Sequence, residues 1–333
     1  MTTKLPAIVL TAGYGTRLLP LTYDRAKPVL PVAGKPLIRR TLSWLAQQGV
    51  HNAVLNLHYK PETITSVVGD GTDLGLSVRY SWEPKLLGSA GGPRQALPLL
   101  NSNRFLIING DTLTNMALGD LVDTHERTKA AITLAVMPNT NPERYGGVLV
   151  DKDGWVSGFS RVGNPNPSYH FIGVQVVDTT IFLELPDGQP AETIRGIYSS
   201  LIKKNKRSLR AHMVSTTFHD IGTPADYLAT SLTVAHDEGH YESLVGTRTF
   251  IDPTAKLKRT ILWDEVTVAK DCVLTDCVIG DRVRLPPGSY FEKLVITVAP
   301  ESHQIGQREG DLLLVPLSPD EHNTNLDDTT FQS

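Results

Sequence analysis

Short apolar runs punctuate the first 180 residues, and stretches of helical period lie between them. Ala7–Leu10, Ala53–Leu57, Leu76–Ser81, Phe105–Asn109 and Ile132–Met137 read as strands. Pro36–Gln48, Pro61–Val68, Pro93–Leu100 and Leu118–Arg127 read as helices. Such alternation predicts βαβ units around a mostly parallel sheet, with the ligand crevice beyond the carboxyl ends of the strands. A further helix start is written at Thr223-Pro224-Ala225-Asp226: a hydroxyl N-cap, a proline at the first helical position, and a carboxylate beside the positive end of the dipole. Ala225, Leu228, Leu232 and Ala235 give that helix its apolar face, and it ends near Gly239.

Beyond Gly246 the period changes. Ile251, Leu257, Leu262, Val268, Leu274, Ile279 and Leu285 are separated by 6, 5, 6, 6, 5 and 6 residues, so that positions seventeen apart match. No α-helix has that period. It predicts a solenoid with three short strands per coil, each coil stacking its aliphatic side chains on the next. Two residues before most of these positions stands a small or β-branched residue: Ala255, Thr260, Val266, Cys272, Cys277 and Val283. The pattern resembles the hexapeptide left-handed β-helix, about two coils long. In it Cys272 and Cys277 are core fillers, since no histidine or further cysteine joins them to bind a metal. So short a stack leaves an end to cover, by docking on the first domain or on another subunit.

Composition narrows the class. A chain of 333 residues buries a sizeable core in about two domains. The net charge of −3 argues against nucleic acid or an anionic membrane as partner. Seven acids against one arginine fall in residues 301–333, which leaves the first 300 residues at about +3. The start, MTTKLPAIVLTAG, has no long apolar stretch before its glycines, and no run of eighteen apolar residues occurs, so neither a signal peptide nor a membrane span is expected. Two cysteines make no disulfide framework, and a reducing cytoplasm is the expected location.

The chemistry begins where the first strand empties into Thr11-Ala12-Gly13-Tyr14-Gly15-Thr16-Arg17, followed by Lys27-Pro28. Glycines let backbone N–H groups approach an anion, and a guanidinium then closes on its oxygens. A dinucleotide fingerprint would need a third glycine three residues after Gly15, where Leu18 stands, and no GxxxxGK[ST] occurs. A second glycine segment, Leu87-Gly88-Ser89-Ala90-Gly91-Gly92, precedes the helix expected from Pro93 and reads either as a loop with an N-cap or as a backbone platform for a base and ribose. Two carboxylates fall at the ends of apolar or aromatic runs: Asp111 after Phe105–Gly110, and Asp220 in Phe218-His219-Asp220-Ile221-Gly222-Thr223-Pro224. Either acid alone is more often a turn or cap residue than a ligand.

Together these runs resemble the signature of the sugar-1-phosphate nucleotidylyltransferases, the NDP-sugar pyrophosphorylases, and are most similar to the mannose-1-phosphate guanylyltransferase-like members. The resemblance implies an α/β, Rossmann-like nucleotidyltransferase domain with a mostly parallel sheet, over 1–240. A short C-terminal left-handed β-helix over 246–300 and an acidic, partly disordered tail over 301–333 complete the expected chain. It implies a nucleoside triphosphate held by Leu10, Ala12, Gly13, Gly15, Thr16, Arg17, Lys27, Glu83, Gly88 and Ser89. It makes Arg17, Lys27, Asp111 and Asp220 the catalytic set, with Asp111 and Asp220 as ligands of Mg²⁺, whose remaining positions phosphate oxygens and water would fill. The second substrate is a sugar 1-phosphate, and a homo-oligomer through the β-helix is expected.

The match is not complete. Ala26 replaces the first of two prolines that usually flank the lysine. Glu143–Val148 resembles the segment before the sugar site, which implicates Gly146, but the Glu-Lys-Pro that should follow is Arg161-Val162-Gly163. Where many members carry Asn-Ala-Gly, this chain has Phe171-Ile172-Gly173. Arg161 is the candidate to take over the sugar phosphate, since a guanidinium binds phosphate bidentately, and a surface arginine is the equal alternative. Gly173 and Glu192 complete the candidate sugar residues. Three readings follow: transfer of a nucleoside monophosphate to a sugar 1-phosphate, leaning to a GDP-mannose-type product; a uridylyl- or thymidylyltransferase on another sugar; or a non-catalytic subunit that senses nucleotide sugars. An acyltransferase centred on the β-helix is disfavoured by its shortness and the lack of a catalytic histidine within it.

Overall fold

The computed structural model describes residues 3–239, 243–302 and 305–318. They group into two compact units: one from the described parts of Met1–Gly13 and Ile38–His219, the other from Tyr14–Leu37 and the described parts of Asp220–Ser333.

The first unit is built on a nine-stranded sheet. Four strands run parallel in the order Ser77–Trp82, Asn52–Leu57, Ala7–Leu10, Arg104–Asn109. Tyr169–Asp178 then pairs antiparallel with Arg104–Asn109. It continues on one side to Gly147–Val150 and Val156–Ser160, and on the other to Ile132–Pro138, which carries Leu209–Met213 in parallel. The parallel half is thus a βαβ array with an antiparallel extension. Ile8, Val54 and Ile107 stand side by side in it and are buried in one core with Phe105, Leu134, Phe182 and Tyr198. Ile38, Leu42 and Leu45 on the helix Leu37–Gln47 are fully buried, the apolar stripe of an amphipathic helix turned away from water.

The helix expected from Pro93 starts earlier, at Gly88, and runs to Leu100. The glycine segment is therefore its first turn and not a preceding loop. First-turn N–H groups have no intrahelical acceptor, and those of Ala90 and Gly91 donate to the carbonyl of Ala191 at 2.9 and 3.2 Å. Pro93, in the second turn, has no N–H to give to Ser89, a loss that the anchored first turn tolerates.

In the second unit, Thr223 caps the helix Pro224–Asp237 as its sequence predicts. Its hydroxyl accepts from the Asp226 N–H at 3.2 Å, and the Asp226 carboxylate accepts from the Thr223 N–H at 2.9 Å. The solenoid follows the seventeen-residue period: Ile251 aligns with Val268 and Leu285, Leu257 with Leu274 and Phe291, Leu262 with Ile279 and Ile296. It has three coils and not two. Leu244–Val245 already pairs with Ile261–Leu262, and Leu294–Val298 continues the same face beyond the last corner. The expected positions stopped at Leu285 because the next inward residue is the aromatic Phe291, and Leu244–Val245 lies before the first of them. Cys272 and Cys277 are free and buried in the core with Val266, Leu274 and Ile279. Leu312–Pro316 folds back antiparallel on Leu294–Val298 and covers the edge of that last strand. The expectation of a partly disordered tail falls mostly on 319–333, outside the described residues.

Among the described residues no helix is long and apolar enough to cross a membrane.

Candidate functional site

In the first unit the candidate residues gather at the carboxyl edge of the parallel strands. Leu10 ends its strand opposite Asn109, and the Gly110 N–H donates to the Leu10 carbonyl at 3.1 Å. A Cβ on Gly110 would collide with that carbonyl, so the turn leading to Asp111 and the turn through Ala12 and Gly13 come together on glycine alone. Gly13 is exposed and Ala12 buried, while Asp111 is partly buried.

Behind these turns runs a chain of buried hydrogen bonds. Asn56 accepts from the Thr11 N–H through Oδ1 at 2.8 Å, and its Nδ2 donates to Glu83 Oε1 at 2.7 Å. Glu83 Oε2 accepts from the Leu87 N–H at 2.8 Å. Asn56 is 3 % and Glu83 4 % exposed. A Cβ on Gly92 would lie 2.6 Å from Glu83 Oε1, so the glycine helix is pressed against the same carboxylate. Burial pushes the Glu83 carboxyl above its ordinary range, and the bonds from Asn56 and Leu87 pull it back. Both oxygens accept here, and accepted N–H bonds favour the ionised form that burial opposes. Glu83 therefore stands behind the two glycine segments and ties one to the other. Asn56 was missed by sequence reasoning, although a polar residue in Ala53–Leu57, between two leucines, is a legible signal.

Ser89 and Glu192 are brought together. The Ser89 hydroxyl donates to Glu192 Oε2 at 2.8 Å and accepts from the Thr193 N–H at 2.9 Å. Gly146 is exposed and follows Tyr145; Arg161 is exposed and follows the strand Val156–Ser160. Gly173 sits at a positive φ of 77° inside a strand irregularity, where a Cβ would lie 2.8 Å from the Asn109 side chain. Beside this segment Tyr145, His170 and Phe218 stack, with ring centroids 4.0 and 5.0 Å apart, and the Arg144 guanidinium lies 5.0 Å over Tyr145. The stack, too, was missed. Burial, with Arg144 adding to it, pushes His170 down to about 4, so its imidazole is neutral at pH 7.

In the second unit the glycine turn leads into an arm of successive tight turns. Gly15 has a φ of 67°, and a Cβ there would lie 3.0 Å from Thr22 and 3.1 Å from Lys27, so the turn closes onto the segment that carries the lysine. Thr16 is buried and Arg17 exposed. Gly222 brings Arg17 and Asp220 together: a Cβ on it would lie 3.4 Å from Arg17 Nη1 and 3.4 Å from Asp220 Oδ2.

Two outcomes follow. Glu83→Gln cannot accept at both ends, so one N–H faces a donor; the substitution should cost about 1–3 kcal/mol in chemical denaturation, and full retention of stability would show that the bracket carries none. A folded-state His170 value of about 4, below the ordinary 6.5, means that the unfolded chain binds the extra proton between those values. The stability this gives is present above pH 6.5 and lost as pH falls toward 4. Thermal unfolding from pH 7 to 4.5 should therefore show a smaller decline for His170→Phe than for the wild type.

The chain matches the family model described as "Nucleotidyl transferase" over residues 6–237, and the model "GlmU-like, C-terminal hexapeptide" over 211–292. It is 29 % identical over 302 residues to a mannose-1-phosphate guanylyltransferase of Mycobacterium tuberculosis, covering 88 % of this chain and 84 % of that one. It is 33 % identical over 224 residues to an N-acetylmuramate alpha-1-phosphate uridylyltransferase of Neisseria meningitidis, covering 66 % and 94 %. The crystal structure of HddC from Yersinia pseudotuberculosis shares the fold, with a TM-score of 0.61 at 23 % identity, over 69 % of this chain and 99 % of that one. With the larger part of the chain matched in this way, the protein belongs to the nucleotidyl transferase family.

Proposed function

We propose that this protein transfers a nucleoside monophosphate from a nucleoside triphosphate to a sugar 1-phosphate, releasing pyrophosphate, with GTP and a mannose-type sugar 1-phosphate as the favoured pair. The observation that carries the reading is the glycine turn, which ends a parallel strand and continues into the arm bearing Arg17 and Lys27. The guanylyltransferase relative that aligns over most of both chains supports the choice of GTP and mannose. The uridylyltransferase relative, at 33 % identity, makes a uridylyltransferase the second reading.

In the proposed reaction a phosphate oxygen of the sugar 1-phosphate bonds to the α-phosphorus, and the bond from that phosphorus to the β-phosphate's bridging oxygen breaks in line. The nucleophile is already ionised, so no side chain has to take a proton. What the protein supplies is position and countercharge. Arg17 and Lys27 hold the charge that grows on the leaving pyrophosphate. Leu10, Ala12, Gly13, Gly15 and Thr16 shape the turn around the triphosphate, and Gly88 and Ser89 present the first turn of a helix to the nucleotide. Gly146, Gly173 and Glu192 take the sugar, and Arg161 binds its phosphate where relatives by resemblance use lysine.

Asp111 and Asp220 are the proposed holders of Mg²⁺. Both are partly buried carboxylates, hard oxygen donors of the kind Mg²⁺ takes. Among the described residues no group of three or more His, Cys, Asp or Glu side chains gathers, so a cation held by these two acids would need phosphate and water oxygens as well. When bound, the ion would neutralise phosphate charge and act as a Lewis acid.

Assembly and location are proposed with the function. Phe250 and Tyr290, 58 % and 66 % exposed on the β-helix, offer apolar surface for a second copy of the chain. Free buried cysteines suit a reducing cytoplasm.

The test is pyrophosphate release with Mg²⁺, each triphosphate and a panel of sugar 1-phosphates. GTP with mannose 1-phosphate should be the best pair, and Lys27→Ala and Asp111→Asn should each lower turnover by at least about ten-fold, toward the 10²–10³ typical of preorganised charge contacts. Silence of the wild type across the panel would favour a non-catalytic sensor, for which Val162 in place of the expected lysine is the one observation.

A further inference from the structure

The arm between Gly15 and Leu30 is short, irregular and rich in turns, yet it bears both proposed phosphate cations. Its turns are local: Leu18 N–H to Gly15, Tyr23 N–H to Pro20, Leu30 N–H to Lys27. Bonds of that range set its shape, and Leu18, Leu21 and Leu30 are buried. Further ties come from within the same unit, from the β-helix and the helix Pro224–Asp237.

Arg25 is one point of attachment. Its guanidinium lies over the Trp263 ring, 4.5 Å from the centroid, and its Nη2 donates to Asp281 Oδ2. Trp263 and Asp281 belong to successive coils, and Asp281 Oδ1 accepts from the Asp264 N–H at 3.1 Å, so the carboxylate is tied into the coil stack by its other oxygen. The two side chains of the ion pair are 21 % and 11 % exposed, which lifts the pair out of the class of surface ion pairs worth little. Trp263 carries a second tie. Its indole N–H donates to the Tyr227 hydroxyl at 2.9 Å, and that hydroxyl donates to the Pro31 carbonyl at 2.6 Å, just past the arm. Tyr227 is fully buried and Trp263 4 % exposed. Arm, helix and β-helix thus meet on one indole ring.

We infer that the β-helix serves the reaction from within its own chain: Asp281 and Trp263 latch Arg25 and thereby hold the arm that presents Arg17 and Lys27. Arg25, Trp263 and Asp281 are positioning residues. The inference rests on the proposed assignment of Arg17 and Lys27 to the pyrophosphate group, and it gives the solenoid a task besides assembly. Countercharge stabilises a transition state only where it is already in place, so a tether two residues from Lys27 bears on turnover without touching substrate.

Amide hydrogen exchange of the full chain, read by mass spectrometry without substrate, tests the latch directly. Asp281→Asn keeps the shape but cannot accept from both Asp264 and Arg25. It should quicken exchange across residues 14–37 by about ten-fold or more while strands Ile261–Leu262 and Val278–Ile279 keep wild-type rates. Arg25→Gln should do the same, the double variant should be no worse than either single one, and Arg25→Lys, which keeps a charge for Asp281, should recover part of the protection. In pyrophosphate release, Asp281→Asn should lower kcat/KM for the triphosphate by about ten-fold or more and leave KM for the sugar 1-phosphate unchanged. Exchange over 14–37 within two-fold of wild type in both single variants would overturn the latch, as would equal quickening of the β-helix strands. A wild type that releases no pyrophosphate from any triphosphate would overturn the functional reading instead, and the exchange data would still decide whether the latch holds the arm.

Discussion

Phosphate charge is the constraint to which the rest of the proposed site answers. A triphosphate and a sugar phosphate repel one another, and they react only where cations are fixed before the substrates arrive. Arg17 and Lys27 are carried on an arm of tight turns, and Asp111 and Asp220, at strand ends, are the proposed holders of a divalent ion. In water each of these charges would be screened and mobile; value for catalysis comes from holding them still.

Two carboxylates bonded at both oxygens show how the stillness is obtained. Glu83 accepts from Asn56 on one side and from the Leu87 N–H on the other, and so ties the first glycine turn to the first turn of the glycine helix. Asp281 accepts from Arg25 on one side and from the Asp264 N–H on the other, and so ties the arm to the coil stack. Each uses the property that separates a carboxylate from its amide, the ability to accept at both ends. Burying such a group is costly unless it is fully bonded, and a fully bonded buried network specifies one arrangement of the backbone around it.

Local features of the fold were legible in the sequence. The seventeen-residue period gave the β-helix register to the residue, and the Thr223 capping box formed as written, because both depend on neighbours close in sequence or on strict repetition. Pairing direction was less legible: alternation gives strands and helices, whereas the antiparallel approach of Tyr169–Asp178 to Arg104–Asn109 is decided by long-range packing. Pro93 misled because proline at the first helical position is the commoner pattern, and here the first turn had been handed to glycines held by the Ala191 carbonyl. At the site, residue types announced the candidates. Of their supports, Asn56 left a signal, a polar residue in an apolar strand, whereas Trp263 and Arg25 did not, since an arginine in a loop acquires meaning only from what it faces.

Calorimetric titration of the wild type and Asp220→Asn with GTP, in the presence of Mg²⁺ and in EDTA, addresses the central claim most directly. The account predicts that the wild type binds GTP at least about ten-fold more tightly with Mg²⁺ and that the variant loses most of that difference. Equal affinity with and without the metal in the wild type, or an undiminished metal effect in the variant, would contradict it.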